Sequence, residues 1–314
     1  MLSYLFYSFN NLFIFLHLEI YIKINKIFIF DFKSIHTNFV MKNKYIDYDF
    51  ADEIKDKGIK KKEEKFAGFI KRTTVIESNS ILSKRKGTYI SFEYDDDVDE
   101  EELIKQIALT IKKIYKDKKL KIKDLTLCFG IGNEFYSSDA LGPKTIKKID
   151  PSTYLSNNNS LKGLCSLIPG VKGITGLDSA RIAKGIIKEY KIKCVIAVDS
   201  LVTHNENRLF KVIQITDTGI TPGGGLHSYL KSLNQKYLGV PVIAIGVATV
   251  LPSSSIVESF LNNANIENKE NVLKNIENEI DNMENNYYTP KDTEDVIERI
   301  SFLLAKSITY AFNN

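Results

Sequence analysis

Five consecutive apolar residues, Cys194-Val195-Ile196-Ala197-Val198, end in a carboxylate, Asp199. A run without alternation has no polar face to turn towards water, so it suits a strand covered on both sides, as in a parallel sheet between helices. Val240 to Val247 repeats the pattern, and Leu125, Leu127 and Phe129, with Cys128 between, form a third run. Gly163 to Ile168 and Phe210 to Ile215 read as further strands. Helical spacing falls between them: Leu103, Ile107, Ile111 and Ile114 share one face, and Ile182, Ala183, Ile186 and Ile187 share another in Ser179 to Lys191. A last amphipathic helix runs from Pro290 to Phe312. Strands alternating with helices predict a three-layer α/β sandwich with a mainly parallel sheet.

The N-terminal part reads differently. Residues 1–40 lack the basic start and small-residue cleavage site of a signal peptide, and Ser8, Asn10, Asn11 and His17 interrupt any membrane span. The expected start is Met41, with 1–40 as upstream sequence; a membrane anchor is the alternative. Asp49 to Glu64 is charged and reads as an exposed arm without a core face. Phe66 to Glu77 and Gly87 to Glu93 alternate β-branched and aromatic residues, which predicts a small β appendage at about 66–94. The acidic run Asp95 to Glu102 reads as a solvated loop, and residues 265–288 as a flexible insert or solvated helix.

The strand ends are where ligands gather in open α/β sheets, so the chemistry is sought there. Gly130-Ile131-Gly132-Asn133 ends the first run, and a loop through Tyr136, Ser137 and Ser138 presents Asp139 just before Leu141-Gly142-Pro143. The plainer reading of that aspartate is a cap, and nearby helix-end amides would hold its pKa down. Other chemistries lack their motifs. There is no third glycine after Gly130 and Gly132, no GxxxxGK[ST], no GxSxG, and no CxxC or HExxH spacing. Cys128 and Cys194 lie inside strands, where a thiol is inert. The 43 basic and 39 acidic residues are interspersed and give a net charge of only +4, so no nucleic-acid footprint is expected. Two aspartates remain. Neighbouring carboxylates split their pKa values, so one can act as base on a water while the other acts as acid. His204 is expected to be a surface residue or to support the site.

The segments CFGIGNEFYSSDALGPKTI, IPGVKGITGLDSARIAKGIIKEYKIKCVIAVDSL, IQITDTGITPGGG and LGVPVIAIGVATV resemble, in the same order, the germination proteases of spore-forming bacteria. KRKGTYISFE and YYTPKDTEDVIERI extend the resemblance from about Asp49 to the C-terminus. It implies an aspartic-type endopeptidase that degrades small acid-soluble spore proteins, in a fold like that of the hydrogenase-maturation proteases. It also implies a self-processing zymogen, a homotetramer, location in the forespore or spore core, no cofactor, and neither membrane nor direct nucleic-acid binding. The family's essential aspartates fall on Asp139 and Asp199, with Asn133, Glu134, Asp217 and Gly223 expected to support them and no metal. Asp49-Phe50-Ala51-Asp52-Glu53 has the residue order of the family's cleavage site, which makes 41–49 a candidate propeptide and 50–314 the mature domain. The chain departs from the pattern at Ser137-Ser138, at Ser200 to His204, at Thr221, and at His227-Ser228-Tyr229. Two alternatives stand beside this reading: a metal-dependent maturation-type protease using Asp139 and Asp199 as ligands, joined by Glu134 or His204, and a non-proteolytic sporulation relative of the same fold.

Overall fold

The computed structural model describes residues 49–54, 59–77, 84–149, 163–223, 231–264, 272, 275, 283 and 286–313, all within the unit Asp47–Asn314. Residues 1–40, the candidate propeptide up to residue 48, His227 and most of the 265–288 insert lie outside this set. In chain order the elements are β1 (Ile59–Phe66), β2 (Phe69–Ile76), β3 (Gly87–Tyr94), α1 (Glu100–Asp117), β4 (Thr126–Gly130), α2 (Leu141–Lys147), β5 (Leu164–Leu167), α3 (Lys172–Thr175), α4 (Ser179–Tyr190), β6 (Cys194–Val202), β7 (Val212–Thr216), α5 (Gln235–Leu238), β8 (Val242–Pro252), α6 (Ser253–Asn263), β9 (Tyr287–Tyr288) and α7 (Thr293–Phe312).

The strands form one sheet in the order β1-β2-β3-β7-β8-β6-β4-β5, with β9 against β8. The α/β layering is as expected, and the sheet is mixed. Its β8-β6-β4-β5 half is parallel, while β7, β3, β2 and β1 continue it antiparallel. The hairpins expected as an appendage are therefore part of the main sheet, joined through β3 and β7. The charged Ile59–Phe66 is not a free arm but the edge strand of that sheet. Both of its faces are largely solvated, so no apolar alternation marks it.

Side-chain alternation divides the core. Cys128, Ile196, Val198, Ile243 and Ile245 point to the face covered by α1, α2 and α7. Leu127, Phe129, Val195 and Ala197 point to the other face, covered by α4 through Ala180, Ala183 and Ile187. The helices start where their caps dictate. Asp99 accepts from the amides of Glu101 and Glu102, so part of the acidic run is the cap and first turn of α1, where carboxylates complement the helix dipole. Asp178 caps α4 by accepting from the Arg181 amide, and Lys191 closes it in a left-handed conformation. Among the described residues no helix is long and apolar enough to cross a membrane.

Among the described residues, no helix covers the second face of the antiparallel half. Residues 49–54 cover it instead. Phe50 is 0% exposed and meets Leu201, Val212 and Ala248, while Ala51 meets Ile76 and Tyr89. This corrects the expectation of an arm without a core face: Phe50 and Ala51, set among Asp49, Asp52 and Glu53, are enough to seat it.

Candidate active site

Strand β6 carries Asp199 into the sheet, not to its end, since three more residues of the strand follow. Its side chain is 3% exposed, and its Oδ1 accepts from the Ser200 amide at 2.9 Å. The cross-strand register sets Asp199 beside Gly246 of β8, Gly246 beside Gln214 of β7, and Gln214 beside Ser91 of β3. These four residues form one row on the face away from α1 and α7.

Asp139 reaches the site from the loop after β4, the last residue of a 3₁₀ turn, Ser137–Asp139. It caps no helix, because α2 starts after Ala140 without a side-chain cap. Instead its Oδ2 accepts from the Asn133 amide at 2.8 Å, while Asn133 Oδ1 accepts from the Phe135 amide at 3.1 Å. Two glycines let the loop close on the strand ends. Gly132 has φ 123°, and a Cβ there would lie 2.0 Å from the Asp139 carbonyl oxygen. A Cβ on Gly142 would lie 2.2 Å from the Ile131 carbonyl oxygen and 2.5 Å from that of Val198, the residue before Asp199. These are backbone atoms that cannot swing aside. Gly142→Ala is expected to cost about 1–3 kcal/mol of stability, as overpacked sites do, and to displace Asp139, so urea denaturation and cleavage rate should fall together.

Electrostatics couples the two carboxyls. Burial pushes Asp139 up to about 6, with the Asn133 amide opposing. The expectation that helix-end amides hold it down fails, because a single N–H does not offset the lost hydration. Burial pushes Asp199 well above the usual carboxylate range, and the charges of Asp139 and Asp49 raise it further. Near neutral pH the arrangement therefore favours one ionised and one protonated carboxyl.

The other expected residues divide. Asn133 holds Asp139 through its backbone. Exposed Glu134 pairs with Lys147, and Asp217 binds Lys118 at 2.7 Å and the Thr88 amide at 3.1 Å, which anchors the start of β3. Gly223 takes a left-handed φ of 62°. His204 sets Nδ1 3.0 Å from Ser255 Oγ at the start of α6. Among the described residues, no three or more His, Cys, Asp or Glu side chains are grouped to hold a metal. Burial pushes the Cys165 thiol to about 11 and Cys194 to about 12, away from thiolate chemistry.

Sequence reasoning missed the surroundings of Asp49. Its Oδ2 accepts from the Val202 amide at 2.8 Å. Gln214 grips the backbone on both sides of Phe50, donating to the Asp49 carbonyl and accepting from the Ala51 amide, each at 2.9 Å. Arg208, buried, binds Asp52 at 2.8 and 3.0 Å and Glu53 at 2.8 Å, and its guanidinium lies 5.0 Å from the centre of the Phe50 ring. The partners are some 155 residues apart in sequence, and a lone arginine in Asn207-Arg208-Leu209 gives no signal of them.

The family profile described as germination protease matches residues 36–284. A germination protease of Clostridium acetobutylicum is 33% identical over 261 residues, covering 73% of this chain and 80% of the relative. That of Clostridium tetani is 32% identical over 267 residues, covering 75% and 81%. The match to the germination protease of Oceanobacillus iheyensis is 33% identical over 192 residues and spans 52% of that relative's length. With a profile match over most of its length and relatives of this identity across nearly three quarters of it, the chain belongs to the germination protease family of peptidases.

Proposed function

We propose that the chain is an endopeptidase that starts the breakdown of small acid-soluble spore proteins at germination, using Asp139 and Asp199 as an acid–base pair. The observation that carries this reading is the burial of two carboxyls close enough to act on each other's charge, Asp139 in the loop after β4 and Asp199 within β6, each pushed above its ordinary range. Ionised Asp139 takes a proton from a water as its oxygen attacks the scissile carbonyl carbon. Protonated Asp199 donates to the carbonyl oxygen, and when the resulting tetrahedral intermediate collapses and the C–N bond breaks, that oxygen returns its proton to Asp199 as the carbonyl re-forms. The proton taken by Asp139 goes to the departing amine.

Family membership supports the spore-protein substrate, a homotetramer in the spore core, and synthesis as a zymogen. For the zymogen we propose self-cleavage between Asp49 and Phe50. The Asp49 carboxylate lies near enough to Asp199 to raise its pKa, so the bond is close to the pair. It is also held by Gln214, so cutting there requires this segment to loosen first. Recognition rests on a short peptide sequence and does not require DNA.

The test is incubation of the protein with a small acid-soluble spore protein, with and without DNA and a chelator, followed by mass analysis of both partners. Cleavage that survives the chelator and the absence of DNA is expected, with a new N-terminus at Phe50 in the enzyme. Loss of activity on chelation would favour the metal-dependent alternative, and an intact spore protein would favour the non-proteolytic one.

A further inference from the structure

The sheet order ends in β5, of four residues, and in β1, of eight. Strand β1 pairs with β2 on one side and, among the described residues, with no strand on the other. The two-residue turn Ala67-Gly68 makes Phe66 and Phe69 the closing hydrogen-bonded pair of the hairpin, so Ile59, Lys61, Glu63 and Lys65 direct their N–H and C=O groups to the open side. This edge is fixed at both ends. Phe66 stacks on Phe69 with ring centres 4.6 Å apart, and Ile59 packs against Ala51, Ile76 and Tyr89.

An edge of lysines alone would repel an incoming strand, which is one way proteins protect such edges. Strand β1 carries both signs, in the order Lys60-Lys61-Lys62-Glu63-Glu64-Lys65. When a two-fold axis normal to the sheet lays a second β1 antiparallel to the first, each residue must oppose one from the same face, so registers change in steps of two. Centred on Lys62, the pairing sets Lys61 opposite the partner's Glu63 and Lys60 opposite the partner's Glu64, and the axis repeats both pairs. The one like-charged pair is Lys62 with its own copy, and each of these has Glu64 of its own strand at 3.7 Å. The next registers, centred on Lys61 or Glu63, oppose Lys60 to Lys62 or Lys61 to Lys65. The side chains have capacity for the first arrangement. Lys61 Nζ donates to the Asp52 and Ile54 carbonyls at 2.8 and 3.1 Å, and an ammonium has a third N–H; Glu63 meets Arg72 Nε through one oxygen at 2.9 Å, and a carboxylate has a second.

Resting on the reading of the chain as a homotetramer, we propose that β1 forms one of its two-fold interfaces, pairing antiparallel with β1 of a second copy about Lys62 and joining the two sheets edge to edge. The occupant is a second copy because the order of charges complements its own reverse. Strands β2, β3, β7 and β8 separate this edge from Asp199 on β6, so assembly is read apart from cleavage.

The test uses the full chain. Lys62→Cys places two thiols at a directly opposed pair without backbone hydrogen bonds between them, where Cα atoms lie about 4.5 Å apart and within disulfide reach. Mild oxidation should give a covalent dimer, whereas Glu63→Cys, displaced along the strand from its copy, should give none. Lys60→Glu should raise the dissociation constant of this interface about tenfold or more in sedimentation, because attractive cross-strand pairs become repulsive. Glu64→Lys should do the same, and an equimolar mixture of the two variants, which restores opposite charges at both pairs, should associate as wild type does. Lys60 also meets Glu77 of its own chain; the mixture leaves that contact broken and so reads the interface alone. No Lys62→Cys dimer, a Glu63→Cys dimer formed as readily, or a mixture no tighter than either variant overturns the proposal. The tetramer is decided separately. Wild type that sediments as a dimer yet cross-links through Lys62→Cys removes the tetramer and keeps the interface, whereas a tetramer that keeps its mass in Lys60→Glu does the reverse. A monomeric wild type overturns both.

Discussion

Asp139→Asn and Asp199→Asn should each lower the rate of spore-protein cleavage by roughly a thousandfold or more, as expected when a general acid or base is removed from a pair acting as a unit. Neither should unfold the protein. With Asp139 at about 6, wild-type kcat/KM should rise as pH climbs through that value and fall again where the more strongly raised Asp199 ionises. The lower limb should vanish with Asp139→Asn, leaving only residual activity. Stability should move the opposite way. Both carboxyls titrate higher in the fold than in the unfolded chain, so their contribution is fully present below about pH 4 and is lost as pH rises through the folded values. The Asn variants escape that loss. Their melting temperatures relative to wild type should therefore climb between pH 4.5 and 7.5. An Asn variant that keeps near-normal turnover would remove that residue from the chemistry.

Arg208→Met should destabilise the protein by about 3–5 kcal/mol, the cost of stranding buried charges. Arg208 holds Asp52 and Glu53 through three hydrogen bonds, and its Nε lies 3.2 Å from Glu93, off the hydrogen-bond direction. Glu53 is already pushed up by burial, with Arg208 the main opposing influence. Without the guanidinium, its carboxyl should take up a proton at higher pH still. Urea denaturation at pH 7 measures the loss, and combining Arg208→Met with Asp52→Asn and Glu53→Gln should recover much of it. Because this cluster seats Phe50 and Ala51, limited proteolysis of Arg208→Met should cut first near residues 49–54. A variant as stable as wild type would show that the ion cluster does not hold the segment.

The parallel half of the sheet was legible in the sequence because its strands are buried on both faces, which leaves unbroken apolar runs such as Cys194 to Val198. The aspartate at the end of one run and in the loop after another followed from that pattern. The mixed half was harder to read. Ile59–Phe66 is an edge strand whose Lys and Glu side chains face water on both sides, so its sequence matches that of a solvated helix. Phe50 looked like a lone aromatic in a charged arm, because its pocket is assembled from Leu201, Val212 and Ala248. Arg208 and Gln214 act on residues more than 150 positions away. The direction of the Asp139 shift depends on how deeply the loop buries its carboxyl, which local sequence does not encode.

The strand order has a consequence for how any polypeptide can reach this site. Asp199 lies on β6, which pairs with β8 from Val195 to Val202 and with β4 from Cys194 to Val198, so both backbone edges of its strand are taken up to the residue before it. Along that stretch a bound polypeptide cannot extend the sheet, as it does where an exposed edge strand accepts a guest. Recognition falls to isolated donors and acceptors projecting from the face and the strand end, such as the Gln214 carboxamide and the Val202 amide. Such scattered contacts need a guest free to adjust residue by residue, which selects for chains that arrive already unfolded.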